Sequence, residues 1–131
     1  MNKIILILFI LFYCNISFSQ ESPKPQVLII TTGGTIASKT NAALIEGHEL
    51  LQSVPELANY ATVEVDDFIS IGSSKMTPSI WLHLLKHIRA SLISNPSIKS
   101  VIITHGTDTM EETAFFLNLT HLSKVPIVLV G

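Results

Sequence analysis

Two short stretches hold most of the residues able to do chemistry: Thr31-Thr32-Gly33-Gly34-Thr35 and Thr104-His105-Gly106-Thr107-Asp108-Thr109. Each sets glycine, whose missing side chain lets backbone N–H groups approach a ligand, beside a threonine hydroxyl. Asp108 adds a carboxylate, a group suited to a substrate ammonium and equally suited to the positive end of a helix. Glycine turns at strand ends often cradle phosphate. The sequence has neither G-x-x-x-x-G-K-[ST] nor G-x-G-x-x-G, however, and Asp108 would repel a phosphate placed near it. For the first stretch, an ordinary tight turn with threonines capping a helix remains open beside a ligand site.

The elements that must position these stretches are legible on either side of them. Val27 to Ile30 is an uninterrupted apolar run, the mark of a strand buried on both faces, and it ends at the first stretch. Gly47 to Ser53 reads as a short helix before Pro55, and Thr62 to Ile69 alternates well enough for a second strand. Thr77 is placed to cap a helix with Pro78 at its first position. Trp81, Leu84, Leu85, Ile88 and Leu92 then recur at helical spacing as core, until Asn95-Pro96 stops the run. Ser100 to Thr104 is a third strand, ending at the second stretch. Glu111 and Glu112 follow in the first turn of a helix carried on by Ala114, Phe115, Leu117 and Leu119. Val125 to Val130 reads as a fourth buried strand, with Pro126 near its start.

Strands alternating with helices at these spacings predict right-handed βαβ units. The fold class is α/β: a doubly wound, mostly parallel sheet in a flavodoxin-like three-layer αβα arrangement. Ligands of such sheets bind beyond the carboxyl ends of the strands, so the two stretches face one cleft if their strands are neighbours. The chain stops at Gly131 straight after a strand. A doubly wound sheet ordinarily continues into another helix there, so the sequence predicts the front portion of a longer protein.

The 131 residues allow one domain, less an N-terminal address. Lys3, the apolar run Ile4 to Tyr13 and the small residues of Ser17-Phe18-Ser19 predict a secretory signal peptide over residues 1–19, cleaved before Gln20. The mature chain is then periplasmic or secreted, an uncleaved membrane anchor being the lesser alternative. Cys14, the sole cysteine, lies within that segment behind Phe12 and Tyr13, too bulky for a typical lipid-attachment site, which leaves a lipoprotein as a minor alternative. Neither disulfides nor thiolate metal sites can therefore hold the mature chain together. A net charge of −2, with no cluster of Lys or Arg among aromatics, gives no indication of nucleic acid as a partner.

Other reactive side chains carry bland readings. His83 and His87 lie one helical turn apart, but Leu84 stands where H-E-x-x-H needs glutamate and no third ligand is evident, so the pair reads as a solvated helix face, and no metal is expected. His105 reads as a hydrogen-bonded packing histidine. Asp66 and Asp67 are adjacent on a strand and so point to opposite faces, which argues against a shared acid/base dyad.

The segments "TTGGTIA" and "ITHGTDTMEETAFFL" together resemble the two signature segments of bacterial L-asparaginases, and the signal peptide is similar to that of their secreted, type II branch. "SIGSSKMTPSIWLHL" and "VPIVLVG" are similar as well, so the likeness covers nearly all of the mature chain. It implies an amidohydrolase that converts L-asparagine and water to L-aspartate and ammonia without a cofactor. Thr35 matches the nucleophile, which a neighbouring base must activate before it forms an acyl-enzyme. Thr107 matches the second catalytic threonine, relayed to a lysine. Asp108 matches the residue that holds the substrate α-ammonium, and Ser73 the one that holds its α-carboxylate. Backbone N–H groups near Thr107 could serve as the oxyanion hole.

The resemblance makes residues 20–131 part of an N-terminal domain. The relay lysine and a smaller second domain would then lie beyond Gly131, and the full-length protein would be a homotetramer. Two departures stand out. The family's lid tyrosine has no counterpart between Ile36 and Pro55, the only tyrosines being Tyr13 and Tyr60, and Ser74 replaces the substrate-contacting glutamine of many type II members. The second departure leaves the preference between asparagine and glutamine open. A non-catalytic periplasmic amino-acid-binding protein, using the same strand-end cleft to hold a zwitterion, is the rival reading.

Overall fold

The computed structural model describes residues 23–33, 52 and 54–131. Strand β1 (Gln26–Thr31) lies between β2 (Thr62–Asp67) and β3 (Ile98–Thr104), and β4 (Ile127–Val130) pairs with the outer side of β3. All three pairings are parallel, giving the order β2-β1-β3-β4. Thr31, the last residue of β1, stands opposite Asp67 on one side and Thr104 on the other. The expected doubly wound parallel sheet is what the chain forms. The helix expected over Gly47 to Ser53 lies outside the described residues apart from Gln52.

Helix α1 (Leu57–Tyr60) is a single exposed turn that the sequence reading did not anticipate. Pro55 lies just before it: its carbonyl accepts from Ala58 N while Val54 O accepts from Leu57 N. A proline whose φ is already near helical starts a turn as readily as it ends one.

Helix α2 (Pro78–Ser94) forms as expected, with the Thr77 hydroxyl accepting from Ile80 N at 3.4 Å and Asn95 at its C-terminal end. Leu84, Leu85 and Ile88 are buried and Leu92 packs beside them. These meet Leu28 and Ile30 of β1, Val101 and Ile103 of β3, and Leu117 of helix α3 (Met110–Thr120), forming one core on one face of the sheet. Strand residues of opposite parity point the other way, and among them Ile29 is also buried. Trp81, expected in the core, is half-buried and stacks on Phe116 with ring centroids 5.7 Å apart.

Helix α3 forms as expected, while the readings of β4 and His87 are corrected. Phe115 and Leu119 carry α3 onward in sequence but are 65% and 64% exposed, because Thr113 and Leu117, one turn apart, define the buried face and the other two lie on the far side. Strand β4 is an edge among the described residues rather than a buried strand, with Val128 half exposed. It begins at Ile127 because Pro126 has no N–H to give the ladder, although its carbonyl accepts from Val101 N. His87 is not on a solvated face: its Nε2 lies 2.6 Å from Asp66 Oδ2 and its ring 5.2 Å from that of Phe68. Asp66 and Asp67 do diverge, since Asp67 Oδ1 accepts from Thr31 Oγ1 at 2.7 Å on the opposite face. No helix among the described residues is long and apolar enough to cross a membrane.

Candidate active site

Where the order of strands reverses, the connections from neighbouring strands leave in opposite directions and open a crevice at the carboxyl ends. In this sheet the chain passes from β1 outward to β2, then returns across β1 to β3, so that point falls between β1 and β3. Both threonine-glycine stretches begin there.

Hydrogen bonds continue past the strands and lock three ends together. Thr32 N donates to Thr104 O at 3.2 Å and Thr32 Oγ1 donates to the same oxygen at 2.6 Å. On the other side, Ile69 N donates to Thr31 O and Ile71 N to Thr32 O. Gly33 follows with φ of +99°, a conformation side-chain-bearing residues rarely adopt. A Cβ there would also lie 2.8 Å from Ile71 N, so glycine is required twice over.

After β2, Ser73–Lys75 forms a 3₁₀ turn, and after β3, Thr107–Thr109 forms another. The two turns pack directly: Thr109 Oγ1 donates to Ser73 O at 2.7 Å, and a Cβ on Gly106 would come within 2.5 Å of Ser73 Oγ. Glycine at 106 therefore serves close approach, its own φ of −71° being ordinary. Ser73 is buried in this contact at 4% exposure, whereas Ser74, Thr107 and Asp108 are exposed. Asp108 lies in the first turn of the 3₁₀ segment, where a carboxylate favours the positive end of a helix. That placement leaves the helix-end and the ligand readings of Asp108 both standing, with the residue exposed next to Thr107.

Behind the turn, His105 is 1% exposed, with Nδ1 2.7 Å from Gly106 O and Nε2 2.8 Å from Thr113 Oγ1. It is the packing histidine the sequence suggested. Thr104 Oγ1 is buried and finds no hydrogen-bond partner among the described residues.

Of the residues singled out from sequence, Ser73, Ser74, Thr107 and Asp108 are therefore gathered on two touching turns at the β2 and β3 ends. Thr35 lies outside the described residues, although Gly33, two positions before it, is at the same crevice. Thr32, Thr109 and Thr113 were missed as organisers. For Thr113 the signal was present in its position on the same helical stripe as Leu117, four residues on.

Grooves of ligand size occur elsewhere: beside β2 at Lys24, Leu57 and Val63, at the β4 edge, and across α2 and α3 at Trp81, Phe115 and Leu119. None combines glycine, hydroxyl and carboxylate, so the strand-end crevice is the better candidate.

The model of the asparaginase N-terminal domain matches residues 26–131, which spans every strand and turn described above. The chain belongs to this family. Among relatives of this asparaginase-family chain, a protein named probable periplasmic L-asparaginase from Haemophilus influenzae is 41% identical over 92% of the chain and 36% of its own length. L-asparaginase 2 of Bacillus subtilis is 39% identical over 88% of the chain and 33% of its own. A crystal structure described as a probable cytoplasmic L-asparaginase from Campylobacter jejuni superposes with a TM-score of 0.75 at 43% identity, covering 82% of the chain and 35% of that protein. The chain thus spans about a third of the length of the relatives it matches. The relatives' names include both periplasmic and cytoplasmic proteins, so family membership does not fix a compartment.

Proposed function

We propose that this chain supplies the strand-end part of an L-asparaginase active site, with Thr35 as nucleophile and Thr107, Asp108, Ser73 and Ser74 around the substrate. The observation that carries the reading is the placement of the two threonine-glycine stretches on β1 and β3, either side of the point where strand order reverses. Family membership and relatives named L-asparaginase point to the same reaction.

In this proposal the Thr35 hydroxyl attacks the side-chain amide carbon of L-asparagine, giving up its proton as the C–O bond forms. Backbone N–H groups near Thr107 stabilise the negative charge that develops on the amide oxygen. The C–N bond then breaks, ammonia leaves with a proton, and an aspartyl ester remains on Thr35. Water, oriented beside Thr107, attacks the ester and returns the proton to the Thr35 oxygen as L-aspartate departs. Asp108 opposes the substrate α-ammonium, while Ser73 and Ser74 approach from the turn beyond β2. With serine at 74 in place of a longer amide side chain, both asparagine and glutamine are candidate substrates.

The reading extends to the longer protein that the relatives' lengths suggest. There, a lysine after Gly131 would complete the relay from Thr107, and a second domain and partner subunits would close the site. Residues 1–19 would direct export. Ammonia release from L-asparagine by the full-length protein tests the proposal. Turnover that Thr35→Ala abolishes is expected, and near-normal turnover by that variant would remove Thr35 from its role.

A further inference from the structure

The carbonyl of Gly106 can only accept a hydrogen bond, so the 2.7 Å contact with His105 places the ring proton on Nδ1. In the neutral ring Nε2 is then bare and accepts the Thr113 hydroxyl proton across 2.8 Å. A lone pair of that hydroxyl oxygen in turn accepts the indole N–H of Trp81, also at 2.8 Å. Among the described residues the competing acceptor for the Thr113 proton is Thr109 O, at the longer distance of 3.2 Å. Four groups on two helices and a strand end thus form one directed chain, Trp81 to Thr113 to His105 to Gly106. Thr113 is fully buried and His105 nearly so, and buried polar chains of this kind hold orientation because water cannot replace a missing member.

The last link bears on the site. Gly106 C=O and Thr107 N–H belong to the same planar trans peptide and point in opposite directions. Holding the carbonyl on His105 therefore fixes the plane that aims the Thr107 N–H, and with it the start of the turn carrying Thr107 and Asp108. We infer that Thr113 and His105 are positioning residues that set the Thr107 amide for catalysis through this relay. The inference rests on the asparaginase reading for its kinetic consequence but not for its geometry.

The test uses the full-length protein with Thr113→Val, which keeps the side-chain shape and removes the hydroxyl, and Thr113→Ser, which keeps the hydroxyl. Two readouts are taken: the 15N shifts of the His105 ring and Thr107 amide, and kcat and KM for ammonia release from L-asparagine. Thr113→Val is expected to reduce the Nδ1–H tautomer, move the Thr107 amide resonance and lower kcat by about 10- to 100-fold with KM little changed. Thr113→Ser is expected to restore both. An unmoved tautomer and amide in Thr113→Val, an unchanged kcat, or a serine variant as impaired as the valine one would overturn the inference. If Thr113→Val does not fold, Trp81→Phe removes the outermost donor alone and is read by the same shifts. Wild-type protein that releases no ammonia would defeat the functional reading, while the ring and amide shifts would still decide the relay.

Discussion

Thr32 gives both its backbone N–H and its side-chain hydroxyl to one acceptor, the carbonyl oxygen of Thr104, at 3.2 and 2.6 Å. The end of β1 is thereby fastened to the end of β3 at the point where a doubly wound sheet opens its ligand crevice. Thr32 is itself buried, with 2% exposure, so neither donor can turn to water without loss. A residue of no direct chemistry thus sets the separation of the two stretches that carry the chemistry.

Thr32→Val removes one of those two bonds at nearly constant volume. The carbonyl keeps its backbone partner, so a loss of about 1 kcal/mol is expected, seen as a lower urea midpoint at unchanged slope. A midpoint equal to wild type would show that the hydroxyl bond contributes nothing net.

Gly33→Ala meets two obstacles, the +99° φ and the backbone of Ile71. Destabilisation of about 1–3 kcal/mol is expected in the same titration. Because Gly33 lies two residues before Thr35, activity should fall as well.

The faces of α2 and α3 differ sharply in what they bury. Leu84→Ala, at a position with 0% exposure, should cost about 2–5 kcal/mol. Leu119→Ala, on the exposed side of α3, should stay within about 0.5 kcal/mol of wild type. Comparable losses at both would mean that the exposed face is covered in the folded protein.

The contrast between these helices explains what the sequence could convey. On α2, Leu84, Leu85, Ile88 and Leu92 repeat with the helical period and polar residues interrupt them, so one face is readable. On α3, Phe115, Phe116, Leu117 and Leu119 are apolar nearly all round, and periodicity cannot choose among them; the buried position is held by Thr113, a polar residue justified by hydrogen bonds to Trp81 and His105. The strand ends were legible because glycine and threonine there interrupt apolar runs. That Asp66 pairs with His87, or that Thr109 ties down Ser73, depends on the register of distant elements, which local spacing does not encode.

Asp108 is exposed in the first turn of the 3₁₀ segment that follows β3. Asp108→Asn keeps the shape and removes the charge that would oppose a substrate ammonium. A fall in kcat/KM of about 10- to 100-fold for L-asparagine is expected, consistent with the loss of a charge-assisted hydrogen bond. Unchanged steady-state constants would place the ammonium elsewhere.

The central claim is that Thr35 attacks the amide and carries the acyl group. Acid-quenching the full-length protein during turnover of L-asparagine, followed by peptide mass spectrometry, examines it directly. The expected result is an aspartyl ester on the peptide containing Thr35, absent from Thr35→Ala. An ester on another residue, or tight binding of asparagine with neither ester nor ammonia, would contradict it, and the second of these outcomes would favour a binding protein over an enzyme.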